Sequence, residues 1–256
     1  MSNYDRNAAT PWGSGVARIG TAEYDLGLRS YMLGIYNHMT LALGISALVA
    51  WGTFMAATDQ VGGRIVLNSL GQALYLSPLK WVIMLAPLAF VFLLSFRFER
   101  MNYGSLLGTF WAFAAVMGLS LSSIFVVFKL GSVVQVFAIT AAAFAGLSLY
   151  GYTTKRNLSA FGTFLVMGLI GLVIASLVNI FLQSSMFQMV ISVIGVLVFA
   201  GLTAWDTQRL KEEYDVVAGD QALMGKASVM GALTLYLDFI NMFQMLLSLF
   251  GQRNSE

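Results

Sequence analysis

Two aspartates stand where a carboxylate is expensive. Asp206 lies in AWDTQRLK (204–211) and Asp238 in LYLDFINMF (235–243), both inside long apolar runs. A carboxylate at the centre of a membrane helix costs roughly 2.5–3.5 kcal/mol on insertion scales, so it faces a partner or a cavity. Of the twelve acidic residues only these two fall within apolar runs; the others sit in tails, loops or at a run's end. The two runs are consecutive, and the midpoint between the aspartates is Ala222, beside the loop signal Gly219-Asp220-Gln221. In an antiparallel hairpin of equal rise, residues equidistant from the turn share a depth, so the spacing allows the carboxylates to face each other. Helix rotation is not set by spacing. At about 4 Å and an effective dielectric of 20, their repulsion is ~4 kcal/mol. One proton would then be shared and the pair would titrate as a coupled unit. That would be a pH sensor without histidine.

A cation can stand in for the proton. Arg97 and Arg100, at the end of the second apolar run, are candidate latches that could reach the pair by snorkelling. Calcium would suit the hard oxygens, yet Asp206 and Asp238 alone cannot complete a shell of about six to eight oxygens, so a Ca²⁺ site there would be weak and hydrated. Bland readings stand beside these. The two carboxylates can be structural, and Arg97 and Arg100 can be plain topology determinants. His38 reads as interfacial, Asn179 and Asn241 as interhelical hydrogen-bonding groups, and Gly104-Ser-Leu-Leu-Gly108 as a close-packing pattern.

The elements that would position these residues follow from composition. The 256 residues are 58% hydrophobic and 10% charged, with a mean hydropathy of +0.78, which indicates a polytopic membrane protein. Apolar runs lie near 35–57, 79–96, 104–128, 133–153, 158–182, 186–206 and 228–250. Each is long enough to cross ~30 Å of hydrocarbon as a helix. The connections RFERMN, KLGS, TTKRN and QSS are short, so successive helices are antiparallel, and only a helical bundle satisfies the backbone in lipid. The expected organisation is a polar, flexible cytoplasmic tail over 1–30, one seven-helix transmembrane domain over 31–251, and a short C-terminal tail over 252–256. Ten of the fourteen basic residues fall on the side of the N-terminus, which places that side in the cytoplasm and the C-terminus outside. A re-entrant last segment would reverse the second placement. No cysteine and one histidine remove thiolate, disulfide and His-rich metal chemistry. A net charge of +2 gives no nucleic-acid signal.

The segments SLYGYTTKRNLS (148–159), AWDTQRLK and ALTLYLDFINMFQMLLSLFG (232–251) resemble the Bax inhibitor-1 family, in particular its bacterial YccA-like branch. The resemblance runs from the first span onward. It implies six helices around a central seventh and a pH-sensitive calcium leak in a bacterial inner membrane. The family's paired aspartates match Asp206 and Asp238, its usual tyrosine before the first is Trp205 here, and its latch arginine falls near Arg97 or Arg100, with Arg100 favoured by a gapless match. Relatives of the YccA kind also imply a second role, modulation of an ATP-dependent membrane protease through an exposed tail, here 1–30. Neither reading is enzymatic, and no cofactor is expected, with Ca²⁺ entering only as a transported ion. The expected partners are membrane lipid and that protease; a monomer satisfies the pattern.

Overall fold

The computed structural model describes residues 21–61 and 64–254. Helix α1 (Thr21–Ala57) is followed by a hairpin of β1 (Thr58–Val61) and β2 (Arg64–Leu67) and by the short α2 (Ser69–Tyr75). Then come α3 (Leu79–Arg97), a 3-10 turn (Phe98–Arg100), α4 (Tyr103–Leu121), and α5 (Ile124–Val127), which prolongs α4. The chain closes with α6 (Leu130–Thr153), α7 (Ser159–Leu182), α8 (Ser185–Val217) and α9 (Gln221–Phe250). Seven of these, counting α4 and α5 together, are long and apolar enough to cross a membrane. The architecture is an all-α bundle whose spans match the apolar runs within a few residues, except at α1, α8 and α9.

Those three are longer than their apolar runs. Residues 21–30, placed in the tail by composition, are the first turns of α1, because Leu28 and Tyr31 are buried and the Tyr24 and Tyr31 rings pack on Tyr214 of α8. Tyr24 also donates its hydroxyl to Asp215. Residues 1–20, the remainder of the expected tail, lie outside the described residues. α8 runs past its apolar window to Val217, and α9 starts at Gln221, so both helices extend into the charged stretch around Lys211 and Lys226.

Helix ends are set locally. The Asp220 carboxylate accepts from the N–H groups of Ala222 and Leu223 at 2.8 and 3.1 Å and starts α9. Asn102 does the same for α4 and Ser184 for α8. α7 stops at Gln183, whose φ of 49° is left-handed. At the far end of α9 the chain is pinned. Lys129 N–H donates to the Gln252 carbonyl, Asn254 N–H to the Val127 carbonyl, and the Asn254 amide caps the carbonyls of Phe125, Val126 and Phe128. α9 is therefore continuous from the Asp220 turn to the opposite end of the bundle, with no re-entrant break.

α9 is the most buried span, packed directly on α1, α4, α6 and α8. α3 and α7 are mostly outward-facing, and they lean on α4 and α8 respectively. Close approach is made by glycines other than the expected pair. A Cβ on Gly108 would meet open space, and one on Gly104 would touch only Asn102 Oδ1 at 3.8 Å. Gly118 instead brings α4 against the Ser46 backbone of α1, at 2.5 Å from its carbonyl oxygen for an added Cβ. Gly151 brings α6 onto the Ala204 carbonyl of α8. The Gly151→Leu variant is expected to force α6 from α8 at a cost of about 1–3 kcal/mol. A melt in detergent should show it, while Gly108→Leu should melt as wild type.

Candidate functional site

The WDTQ stretch of α8 sends four successive side chains to four neighbours, as a turn of about 100° per residue requires. Trp205 lies against α7 at Gly162, where any Cβ would strike the indole. Asp206 points toward α9. Thr207 meets Ser148 Oγ of α6 at 2.9 Å, and Ser148 in turn is hydrogen-bonded to Tyr36 of α1. Gln208 clamps the α6–α7 connection from both ends of its amide, accepting from Leu158 N–H and donating to the Arg156 carbonyl, each at 2.8 Å. Lys211, one turn on, donates to the Tyr152 carbonyl at 3.0 Å. The segment is the hub that ties α1, α6, α7 and α9 to α8.

Asp206 and Asp238 come together. The α8–α9 hairpin holds one register along its length: Ser192 meets Ser248, Gly195 meets Met245 and Leu210 meets Gly231. In that register the two carboxyl groups are within hydrogen-bonding reach. They are 4% and 5% exposed, so neither is dissolved in solvent. A hydrogen bond between two carboxyl groups needs one proton between them. Apart from that contact, Asp206 Oδ1 and Asp238 Oδ2 are buried without a hydrogen-bond donor.

The cation at the pair is Arg209, not Arg97 or Arg100. Its Nη2 lies 2.7 Å from Asp206 Oδ1, an ion pair across one turn of α8, though out of line for an N–H···O bond. The guanidinium also lies over the Trp205 ring, 5.0 Å from its centroid. Arg97 and Arg100 are exposed at the end of α3, and neither forms an ion pair with Asp206 or Asp238. The reason is geometric, since α3 packs on α2 and α4 and does not line the groove that holds the carboxylates. An Asp-x-x-Arg spacing on one helix was the signal for Arg209.

That groove has a volume of about 580 Å³ and lies among α7, α8 and α9. Its walls are apolar except for a polar strip formed by Asp206, Asp238, Arg209, Thr234, Asn241 and Ser176. Asn241 donates to the Leu237 carbonyl of its own helix, which leaves its carbonyl oxygen for the groove, whereas Asn179 does bridge helices, donating to Gln188 of α8 at 2.9 Å. His38 sits 3.3 Å from the Tyr103 hydroxyl, away from the pair. Among the described residues no cluster of three or more His, Cys, Asp or Glu side chains forms a metal cage. Any cation at the pair would keep most of its ligands as water.

Residues 28–255 match the family model described as inhibitor of apoptosis-promoting Bax1. The chain belongs to the Bax inhibitor-1 family. It is 43% identical over 227 residues to an uncharacterised protein of Caulobacter vibrioides, covering 89% of this chain and 90% of that one. It is 42% identical over 228 residues to the inner membrane protein YbhL of Escherichia coli K12, covering 89% and 93%. This member of the Bax inhibitor-1 family is thus a multi-pass membrane protein with its carboxylate pair on the last two helices. The Gln208→Ala variant should leave Leu158 N–H unpaired and cost about 1–3 kcal/mol. Hydrogen exchange should rise at residues 154–158 and stay unchanged in the turn at 218–220.

Proposed function

We propose that this protein is a pH-sensitive cation leak, with Ca²⁺ as the permeant ion, gated by the Asp206–Asp238 pair. One observation carries the reading: two buried carboxyl groups in mutual contact, facing a groove whose apolar walls carry a single polar strip. With one proton shared, the pair carries a single negative charge, and Arg209 balances it from Asp206. Loss of that proton leaves two charges against one guanidinium, and the surplus draws a hydrated cation to the groove, where the oxygens of Thr234, Asn241 and Ser176 replace part of its water. Gain of a proton weakens the hold on Arg209 and frees it to swing outward from a side chain already about half exposed. A proton is thus exchanged against a cation at one place.

Orientation supplies the driving direction. The basic residues Lys155, Arg156, Arg209 and Lys211 cluster where α6, α7 and α8 meet the Gln208 clamp, and that end is proposed to be cytoplasmic, with the pinned end at Gln252–Asn254 outside.

The test is Ca²⁺ entry into proteoliposomes from about pH 5 to about pH 8, the interval in which a shared proton would be sensed. Wild type should show a flux that varies across it, and Asp206→Asn and Asp238→Asn should each flatten the dependence. A wild-type flux independent of pH, or the same dependence in both variants, would sink the proposal.

A further inference from the structure

A second groove lies on the other side of the bundle and contains no carboxylate. It has a volume of about 840 Å³ and runs between α1 and α6, with Phe239 of α9 behind it; the two helices both pack on α8 and α9 but not on each other along their length. The floor is aromatic: Phe137 and Phe144 stack edge-on against Phe239, at 5.2 and 5.5 Å between centroids. A single polar bridge crosses it, the Tyr36–Ser148 hydrogen bond. Its lining on α1 extends from Arg29 to Ala47, about 27 Å at 1.5 Å per residue, close to the thickness of the hydrocarbon core.

The charge in this groove is confined to one end. Arg29 is the one formal charge in the lining, it is exposed, and it has no ion-pair partner among the described residues. Lys211, nearby on α8, is held by the Tyr152 carbonyl and lies over the Tyr152 ring, 5.2 Å from its centroid. The opening lies between two membrane-spanning helices, so a ligand arrives sideways from the bilayer. A long apolar trench whose one lining charge is a cation at its mouth is complementary to an amphiphile with an anionic head.

We propose that the α1–α6 groove binds an anionic membrane phospholipid, its acyl chain along Met32, Leu43 and Phe137 and its phosphate on Arg29. The site is separate from the carboxylate pair and does not depend on ion flux. Its wall offers a clean test, because a Cβ at Gly44 meets nothing within 4 Å and a larger side chain there fills the trench without moving the backbone.

The experiment is native mass spectrometry of the purified full chain titrated with dioleoyl phosphatidylglycerol or dioleoyl phosphatidylcholine. Wild type should retain one lipid and bind phosphatidylglycerol about fivefold more tightly, the worth of one cation near a charged headgroup. Arg29→Gln should abolish the preference by weakening phosphatidylglycerol binding to the level of phosphatidylcholine, and Gly44→Trp should lower binding of both. Ala145→Trp, on the facing wall, repeats the test should Gly44→Trp not fold. Equal affinity of wild type for the two lipids, retention of lipid by the filled groove, or a dimer that Gly44→Trp splits would each overturn the assignment.

Discussion

Hydrocarbon cannot solvate a carboxylate, and that constraint organises this molecule more than any single contact. Asp238 sits on the most buried helix, so whatever serves it must come from protein. Asp206 on the adjoining helix does so, and it brings Arg209 within one turn. Once this pair is set, the facing surfaces of α8 and α9 are set as well. The rows Ser192–Ser248, Gly195–Met245 and Leu210–Gly231 follow in the same register. Small or flexible side chains recur along that seam because the carboxyl groups need the helices close.

The rest of the bundle is hung from the same helix. Trp205, Thr207 and Gln208 reach α7, α6 and the loop between them, and Thr207 leads through Ser148 to α1. On the opposite side of α9, Tyr236 is fully buried against Phe110 and Phe113, and its hydroxyl meets Ser46 at 2.7 Å. Ser46 also donates to the Ala114 carbonyl, so one hydroxyl joins α1, α4 and α9. Both junctions are polar contacts inside an apolar solvent, where direction matters and water does not compete. α3, which takes part in neither, is the most loosely held of the seven spans.

Much of this was legible from composition and spacing. Seven apolar runs of sufficient length could only be helices, and the distance of Asp206 and Asp238 from a Gly-Asp turn placed them at one depth. What escaped were features that depend on rotation and on tertiary packing. Arg97 and Arg100 had the right charge at the right end of the chain's second span, but the packing of α3 against α4 turns that end away from the groove. Arg209 carried a local signal in Asp-x-x-Arg, which sets a cation one turn from the carboxylate on the same helix. The start of α1 was hidden because residues 21–30 look polar; their tyrosines find partners on α8 only after folding. Gly104 and Gly108 obeyed a packing pattern without packing, because the face they share points away from the neighbouring helices.

The carboxylate pair is built from neighbours in sequence, on two helices joined by a three-residue turn. That closeness bears on how the chain is made as well as how it works. A lone helix carrying Asp238 would enter the bilayer with its carboxyl group unserved, whereas the helix carrying Asp206 brings Arg209 one turn away. Entering together as a hairpin, α8 would bring Asp238 its partner, and one proton and one guanidinium would offset both carboxylates. The last two spans would then insert as a unit, the last helix obeying the grammar of the membrane only in the company of the one before it.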